Sequence, residues 1–224
     1  MTVPTATTPG YGSFRGHVAC TCLIAWLPAF EDELQRRGII LGPLGIFQLT
    51  GTAAASVDTH SQGGAFDVQP LTRAGVHLAR QMGADATWLR DTMTPPHTHG
   101  VLTGCPHNGP ARYQIDEVRA GGDGLVGNAP DPGPRPLSGR TWRQGIEWAR
   151  TQQEDDMATY ADQLDRIEAT GKATAAAITR LDARVKNTNA KLGRANALLR
   201  KVRADVKDTA TLAEIDALLN DGDD

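Results

Sequence analysis

The 224-residue sequence predicts an α+β head joined by a proline-rich linker to a helical coiled-coil tail. Three compositional asymmetries carry that reading: all 13 prolines lie at or before Pro136, 21 of the 24 glycines fall in the first 150 residues, and lysine is absent until Lys172. The first 150 residues hold 12 Arg against 12 Asp plus Glu, and the remainder holds 11 Lys plus Arg against 14 Asp plus Glu. Two segments of different physics share the chain, with expected boundaries of 1–126 for the head, 127–140 for the linker and 141–224 for the tail.

In the head, His17 to Arg37 places Val18, Leu23, Ile24, Trp26, Leu27, Phe30 and Leu34 at helical spacing and stops at Gly38, with Pro28 expected as a kink or restart. The short apolar runs 45–50, 65–69 and 100–103 suit buried strands. Leu71 to Met82 reads as a second helix, and Arg112 to Gly124 as a short packing helix closed by a glycine cap. Strands and helices alternate irregularly, which is the α+β pattern. Gly127 to Arg140, GNAPDPGPRPLSGR, contains four prolines and reads as a semi-rigid spacer.

The tail repeats apolar residues at intervals of three and four: Met157, Tyr160, Leu164, Ile167, Ile178, Leu181, Val185, Leu192, Ala195, Leu199, Val202 and Val206. This is a heptad register sustained for about seven heptads. Gly171, Thr174 and Thr188 sit on its seam and weaken the middle. A lone helix would leave this stripe wet, so the pattern predicts self-association into a parallel bundle or folding back against a partner helix. After Val206 the phase slips, and Thr211 to Glu214 has capping-box spacing ahead of Ile215, Leu218 and Leu219, which predicts a separate terminal helix.

Other function classes are disfavoured. No apolar run approaches the roughly 18 residues of a membrane span, and residues 1–12 lack the basic and apolar regions of a signal peptide. A formal charge of −3 without a basic stripe argues against nucleic-acid binding. Three cysteines cannot form a complete disulfide set, which fits a chain made in a reducing compartment.

The informative chemistry begins at His60, in the run His60-Ser-Gln-Gly-Gly-Ala-Phe-Asp67. Gly63 and Gly64 allow the chain to reverse, so that a loop histidine and a strand carboxylate point at one another. Some thirty residues later comes His97-Thr-His99, and in an extended strand residues two apart share a face. His60, Asp67 and one of these histidines would leave a fourth tetrahedral position open, the arrangement of catalytic zinc. A second grouping, Cys20-x-Cys22 with Cys105-x-His107, offers three sulfurs and a nitrogen. It reads as ordinary buried thiols, as a disulfide such as Cys20 with Cys105, or as a closed zinc site.

The pattern His-x-x-Gly-x-Ala-x-Asp, filled by His60, Gly63, Ala65 and Asp67, resembles the LAS group of zinc peptidases, which holds D-alanyl-D-alanine carboxypeptidases and phage endolysin peptidases. The later His-x-His strengthens the resemblance, which covers roughly 16–127 and leaves the tail aside. It implies a small domain with a short antiparallel sheet, a zinc ion held by His60, Asp67 and His99, and His97 beside the attacking water. Many relatives place a Glu three residues before a histidine as general base; Thr94 and Pro96 stand at those positions here, which makes His97 the candidate for proton transfer. Gln48, in the strand before the loop, is by analogy the residue that polarises or orients the substrate carbonyl. Asp58 replaces the serine that often stands two residues before the first ligand, and Ser56 lies further upstream. The resemblance implies a peptidase of bacterial peptidoglycan stem peptides, either endopeptidase or carboxypeptidase. With no signal peptide expected, that fits a phage endolysin or virion-associated lysin, oligomeric or docked on a larger assembly through the coiled coil. The competing expectation is a non-catalytic virion or adhesion protein whose head keeps the metal fold in degenerate form.

Overall fold

In the computed structural model, which describes residues 3–51, 58–125 and 129–220, the chain forms two compact units, Met1–Asp156 and Met157–Asp224. The first is α+β with short antiparallel sheets, and a long helix, Trp142–Asp205, runs on through the tail. No helix among the described residues is long and apolar enough to cross a membrane.

The head opens with a hairpin of β1 (Tyr11–Phe14) and β2 (His17–Cys20), paired from Tyr11 opposite Cys20 to Phe14 opposite His17. The two turn residues, Arg15 and Gly16, have φ of 50° and 84°, the left-handed pair that matches strand twist in a two-residue hairpin. Helix α1 (Thr21–Arg36) therefore starts four residues later than the apolar spacing predicts, because His17 to Cys20 is consumed by strand pairing. It also continues through Pro28 rather than restarting. Its buried stripe of Leu23, Trp26, Leu27, Phe30 and Leu34 supplies the driving force, each side chain being worth about 1.5–3 kcal/mol on burial.

The main sheet is antiparallel throughout, in the order β3 (Ile46–Gln48), β4 (Ala65–Val68), β6 (His97–Val101), β5 (Ala86–Arg90). Strand β5 lies in a stretch to which the sequence pattern assigned no element, and β6 begins at His97 rather than at Gly100. Residues alternate between the two faces. Phe66 and Val68 join the large core formed with α1 and with α2 (Arg73–Gln81), the Phe66 ring lying 5.1 Å from Trp26. Gly100, opposite Phe66 in register, is required there, since a Cβ would come within 2.2 Å of the phenyl ring. On the other face, Ala65, Ala86, Trp88 and Val101 pack against Ile115 and Val118 of α3 (Arg112–Ala120), which ends at Gly121 with φ 98°.

The described part of the proline-rich segment is not a free spacer. The fully buried Arg80 guanidinium of α2 donates to both carboxylate oxygens of Asp131, at 3.0 and 2.8 Å, and to the carbonyl of Pro134 at 2.7 Å. Ser138 donates to Asp85 from backbone and side chain, both at 3.0 Å. Helix α4 (Trp142–Asp205) then buries Trp142, Gly145 and Ala149 in the head. At Gly145 a Cβ would fall 1.8 Å from the carbonyl oxygen of Met82.

In the second unit the heptad residues of α4 from Met157 to Leu192 are exposed in the single chain, Met157 by 69% and Leu181 by 57%, while Leu199 is half-buried. Helix α5 (Thr209–Asn220) returns against the end of α4, burying Ile215 and pairing Arg203 with Asp216 at 2.5 Å. The separate terminal helix is present, but Asp208 caps it instead of Thr211: its carboxylate accepts from the Thr211 N–H at 3.0 Å and from the Thr211 hydroxyl at 2.6 Å.

Candidate metal centre

The pleat of the sheet decides which side chains meet. Asp67 of β4 lies directly opposite His99 of β6, which lies opposite Trp88 of β5; two residues further along, on the same face, His97 lies opposite Arg90, and Gln48 of β3 is paired with Asp67. His60 arrives from the loop after β3, held there by the Gly51 N–H, which donates to the His60 carbonyl at 2.8 Å. Asp58, with φ 64°, and its carbonyl bond from the Ser61 N–H shape the turn that carries it. Ser56 lies outside the described residues.

His60, Asp67 and His99 each offer a ligand atom within 4.8 Å of the others, and all three are buried. His60 Nε2 lies 3.3 Å from one Asp67 oxygen and His99 Nδ1 lies 2.8 Å from the other. What sits behind each ring fixes its tautomer. His60 Nδ1 lies 2.7 Å from the carbonyl of Leu49, which can only accept, so Nδ1 carries the hydrogen. His99 Nε2 lies 2.7 Å from Gln114 Oε1; the Gln114 amide nitrogen donates to the carbonyl of Gly124 at 3.1 Å, which turns the oxygen toward the histidine, so Nε2 carries the hydrogen there. With a cation bound, the two rings can keep their hydrogens on these outer partners and turn His60 Nε2 and His99 Nδ1 toward it beside the Asp67 carboxylate. Burial pushes the His99 imidazole below its usual pKa despite the opposing pull of Asp67 and Gln114, which disfavours the doubly protonated ring. Burial alone would raise the Asp67 carboxyl, but its contacts with His60 and His99 outweigh that and hold it well below the usual carboxylate range. Two imidazole nitrogens and one carboxylate converging in this way form a donor set suited to a borderline cation such as zinc, with backbone and amide acceptors fixing the ligand tautomers.

His97 stands at the edge of this group. Its Nδ1 donates to the carbonyl of Pro95 at 2.8 Å, which makes Nε2 the acceptor nitrogen of the neutral ring; Nε2 lies 3.7 Å from Asp67, too long for a hydrogen bond. With 15% of its side chain exposed against 2% for His60, it forms the solvent side of the cluster. Gln48 is half-buried on the neighbouring strand. Arg90 places a buried cation on the same face, stacked 4.7 Å over Trp88, and burial pulls its pKa below the ordinary guanidinium value.

Gln114 and Trp88 were not singled out by the sequence. Gln114 does leave a trace there: it falls four residues before Val118 and three after Ala111, a polar residue in phase with an apolar stripe. A surface depression of about 520 Å³ lined by Arg37, His77, Gln81 and Trp148 shares no residue with the donor set. Compared with protein-family models, curated proteins and solved structures, the chain matches none.

Proposed function

We propose that the chain is a zinc-dependent peptidase that cuts stem-peptide amide bonds of bacterial peptidoglycan, carried by a phage as an endolysin or virion-associated lysin. The observation that carries this reading is the convergence of three buried donor groups, His60 Nε2, His99 Nδ1 and an Asp67 oxygen, beside a further imidazole, His97. The substrate class and the phage setting rest on the resemblance of the His60 to Asp67 run to the LAS peptidases. Zinc held by these donors supplies Lewis acidity, polarising the scissile carbonyl and stabilising the charge that develops on its oxygen. His97 Nε2 takes the proton of the attacking water and returns it to the departing amine, and the bond from Nδ1 to Pro95 keeps the ring in the tautomer this requires. Gln48, beside Asp67 on β3, orients the substrate carbonyl.

The test is mass spectrometry of soluble products from purified cell walls. Wild-type protein is expected to release zinc-dependent peptide fragments whose ends identify the bond. His97→Ala is expected to slow that release about 10²–10⁴-fold, the usual worth of a positioned acid–base group, while zinc content is unchanged. Intact, zinc-loaded protein that releases nothing from walls of several chemotypes overturns the reading.

The tail, on the same proposal, brings heads together by pairing the exposed heptad stripe with that of a second copy, or docks the enzyme on a larger phage assembly. Sedimentation equilibrium of the full chain is expected to give a mass above the monomer, reduced by Ile178→Asp with Leu181→Asp. A monomeric wild type leaves docking as the tail's role.

A further inference from the structure

A second group of metal-ligating side chains lies outside the site just described. Cys20 at the end of β2, Cys22 in the first turn of α1, and Cys105 and His107 in the loop after β6 each offer a ligand atom, all within 4.8 Å of one another. None of the three cysteines is in a disulfide, and all are buried. Cys20 Sγ lies 3.8 Å from Cys105 Sγ, while His107 Nδ1 lies 3.7 Å from both Cys22 Sγ and Cys105 Sγ. A disulfide requires sulfurs about 2.05 Å apart. A tetrahedral zinc with Zn–S of about 2.3 Å and Zn–N of about 2.05 Å spaces its ligands at about 3.8 Å for sulfur–sulfur and about 3.6 Å for sulfur–nitrogen. The observed separations fit the second geometry and not the first.

We propose that Cys20, Cys22, Cys105 and His107 form a closed structural zinc site, separate from the His60–Asp67–His99 cluster, that clamps the N-terminal hairpin and α1 to the loop after β6. All four positions are filled by protein atoms, so this centre has no place for substrate. Its position explains the glycine pair of the motif. A Cβ on Gly63 would lie 3.0 Å from Cys20 Cβ and 3.2 Å from His107 Cβ, and one on Gly64, whose φ is 74°, would lie 3.2 Å from Cys105 Sγ and 1.8 Å from Asn108 Oδ1. The turn that carries the chain from His60 to Asp67 is thus moulded directly on the sulfur cluster, which makes the cluster the floor on which the first ligand loop rests.

The decisive experiment uses cobalt(II) as a spectroscopic substitute for zinc in the full chain, purified under reducing conditions without chelator. Tetrahedral cobalt bound by three thiolates is expected to show intense thiolate-to-metal charge transfer. The band persists in the His60→Ala, His99→Ala double variant and disappears in Cys105→Ala. In the unaltered zinc protein, an organomercurial that titrates the thiols is expected to release one zinc per chain, a readout that needs no variant to fold. Cobalt-substituted wild type lacking the charge-transfer band, thiols that react equally fast with and without zinc, or an intact mass showing a Cys20–Cys105 disulfide would each overturn the proposal. Because peptidoglycan hydrolysis is not the readout, failure here leaves the peptidase reading standing, and failure of the peptidase leaves this site standing.

Discussion

Replacing His99 by alanine is expected to empty the His60–Asp67–His99 cluster of zinc and to lower peptidoglycan hydrolysis on the order of 10³-fold. A Lewis acid contributes several kcal/mol to such a reaction, and each 1.4 kcal/mol, approximately, is a factor of ten. Gln114 separates ligation from positioning. It touches no reacting group, yet it accepts the His99 Nε2–H at 2.7 Å and so leaves Nδ1 as the nitrogen available to a metal. Gln114→Leu is expected to weaken zinc affinity about 10–100-fold, the usual worth of an outer partner of a metal-bound histidine. Gln114→Glu, which keeps an acceptor oxygen at that place, should restore much of it. Zinc dissociation constants measured by competition with a chromophoric chelator distinguish the cases, and a Gln114→Leu protein that holds zinc as tightly as wild type would remove the tautomer argument.

The second large effect is on stability. Arg80 has no exposed side-chain surface, and Asp131 has 1%. Arg80 also donates twice to the Thr87 carbonyl, at 3.1 and 2.8 Å, while the Trp88 indole donates to Asp131 at 3.0 Å. Breaking such a pair from one side strands a buried charge, so Asp131→Ala should destabilise the head by about 3–5 kcal/mol. Adding Arg80→Met should recover part of that loss, since the stranded cation is then gone. The pH dependence has a definite sign. Burial alone would raise the Asp131 carboxyl, but the Arg80 hydrogen bonds and charge, with the Gly133 and Trp88 N–H groups, lower its pKa. Its stabilising contribution is therefore complete above the ordinary carboxylate pKa of about 3.9 and is lost as pH falls through the lower folded value. Denaturant melts between neutral and strongly acidic pH should show a shallower stability loss in Asp131→Asn than in wild type. Equal slopes would place the acid sensitivity elsewhere.

The juxtaposition of His60, Asp67 and His99 was legible because its geometry is encoded locally. A glycine pair between His60 and Asp67 specifies a reversal, and alternation along a strand puts His97 and His99 on one face whatever surrounds them. The α+β character was legible for the same reason, since periodicity survives without tertiary information. Gln114 was assigned to packing because its role depends on a partner 15 residues away that only the fold brings near. The β1–β2 hairpin was missed because Val18 to Cys20 reads equally well as the start of the helical stripe; the Arg15–Gly16 turn was the discriminating signal. Asp131 was hidden by its context. Prolines report local stiffness and cannot announce that a carboxylate among them meets a buried arginine 51 residues earlier in the chain. Nothing in the sequence marks Arg80 as different from the exposed Arg73 at the start of the same helix.

The docking of Trp142, Gly145 and Ala149 into the head has a consequence for how such a chain can be recombined. The prolines look like the seam at which one module was spliced to another, but a crossover at residue 140 would strip the head of residues that close its own interior. The exchangeable joint lies beyond Asp156, within the continuous helix, where the chain divides into its two compact units and one heptad cassette can follow another in phase. Modularity here follows the turn count of a helix and not the punctuation of the sequence.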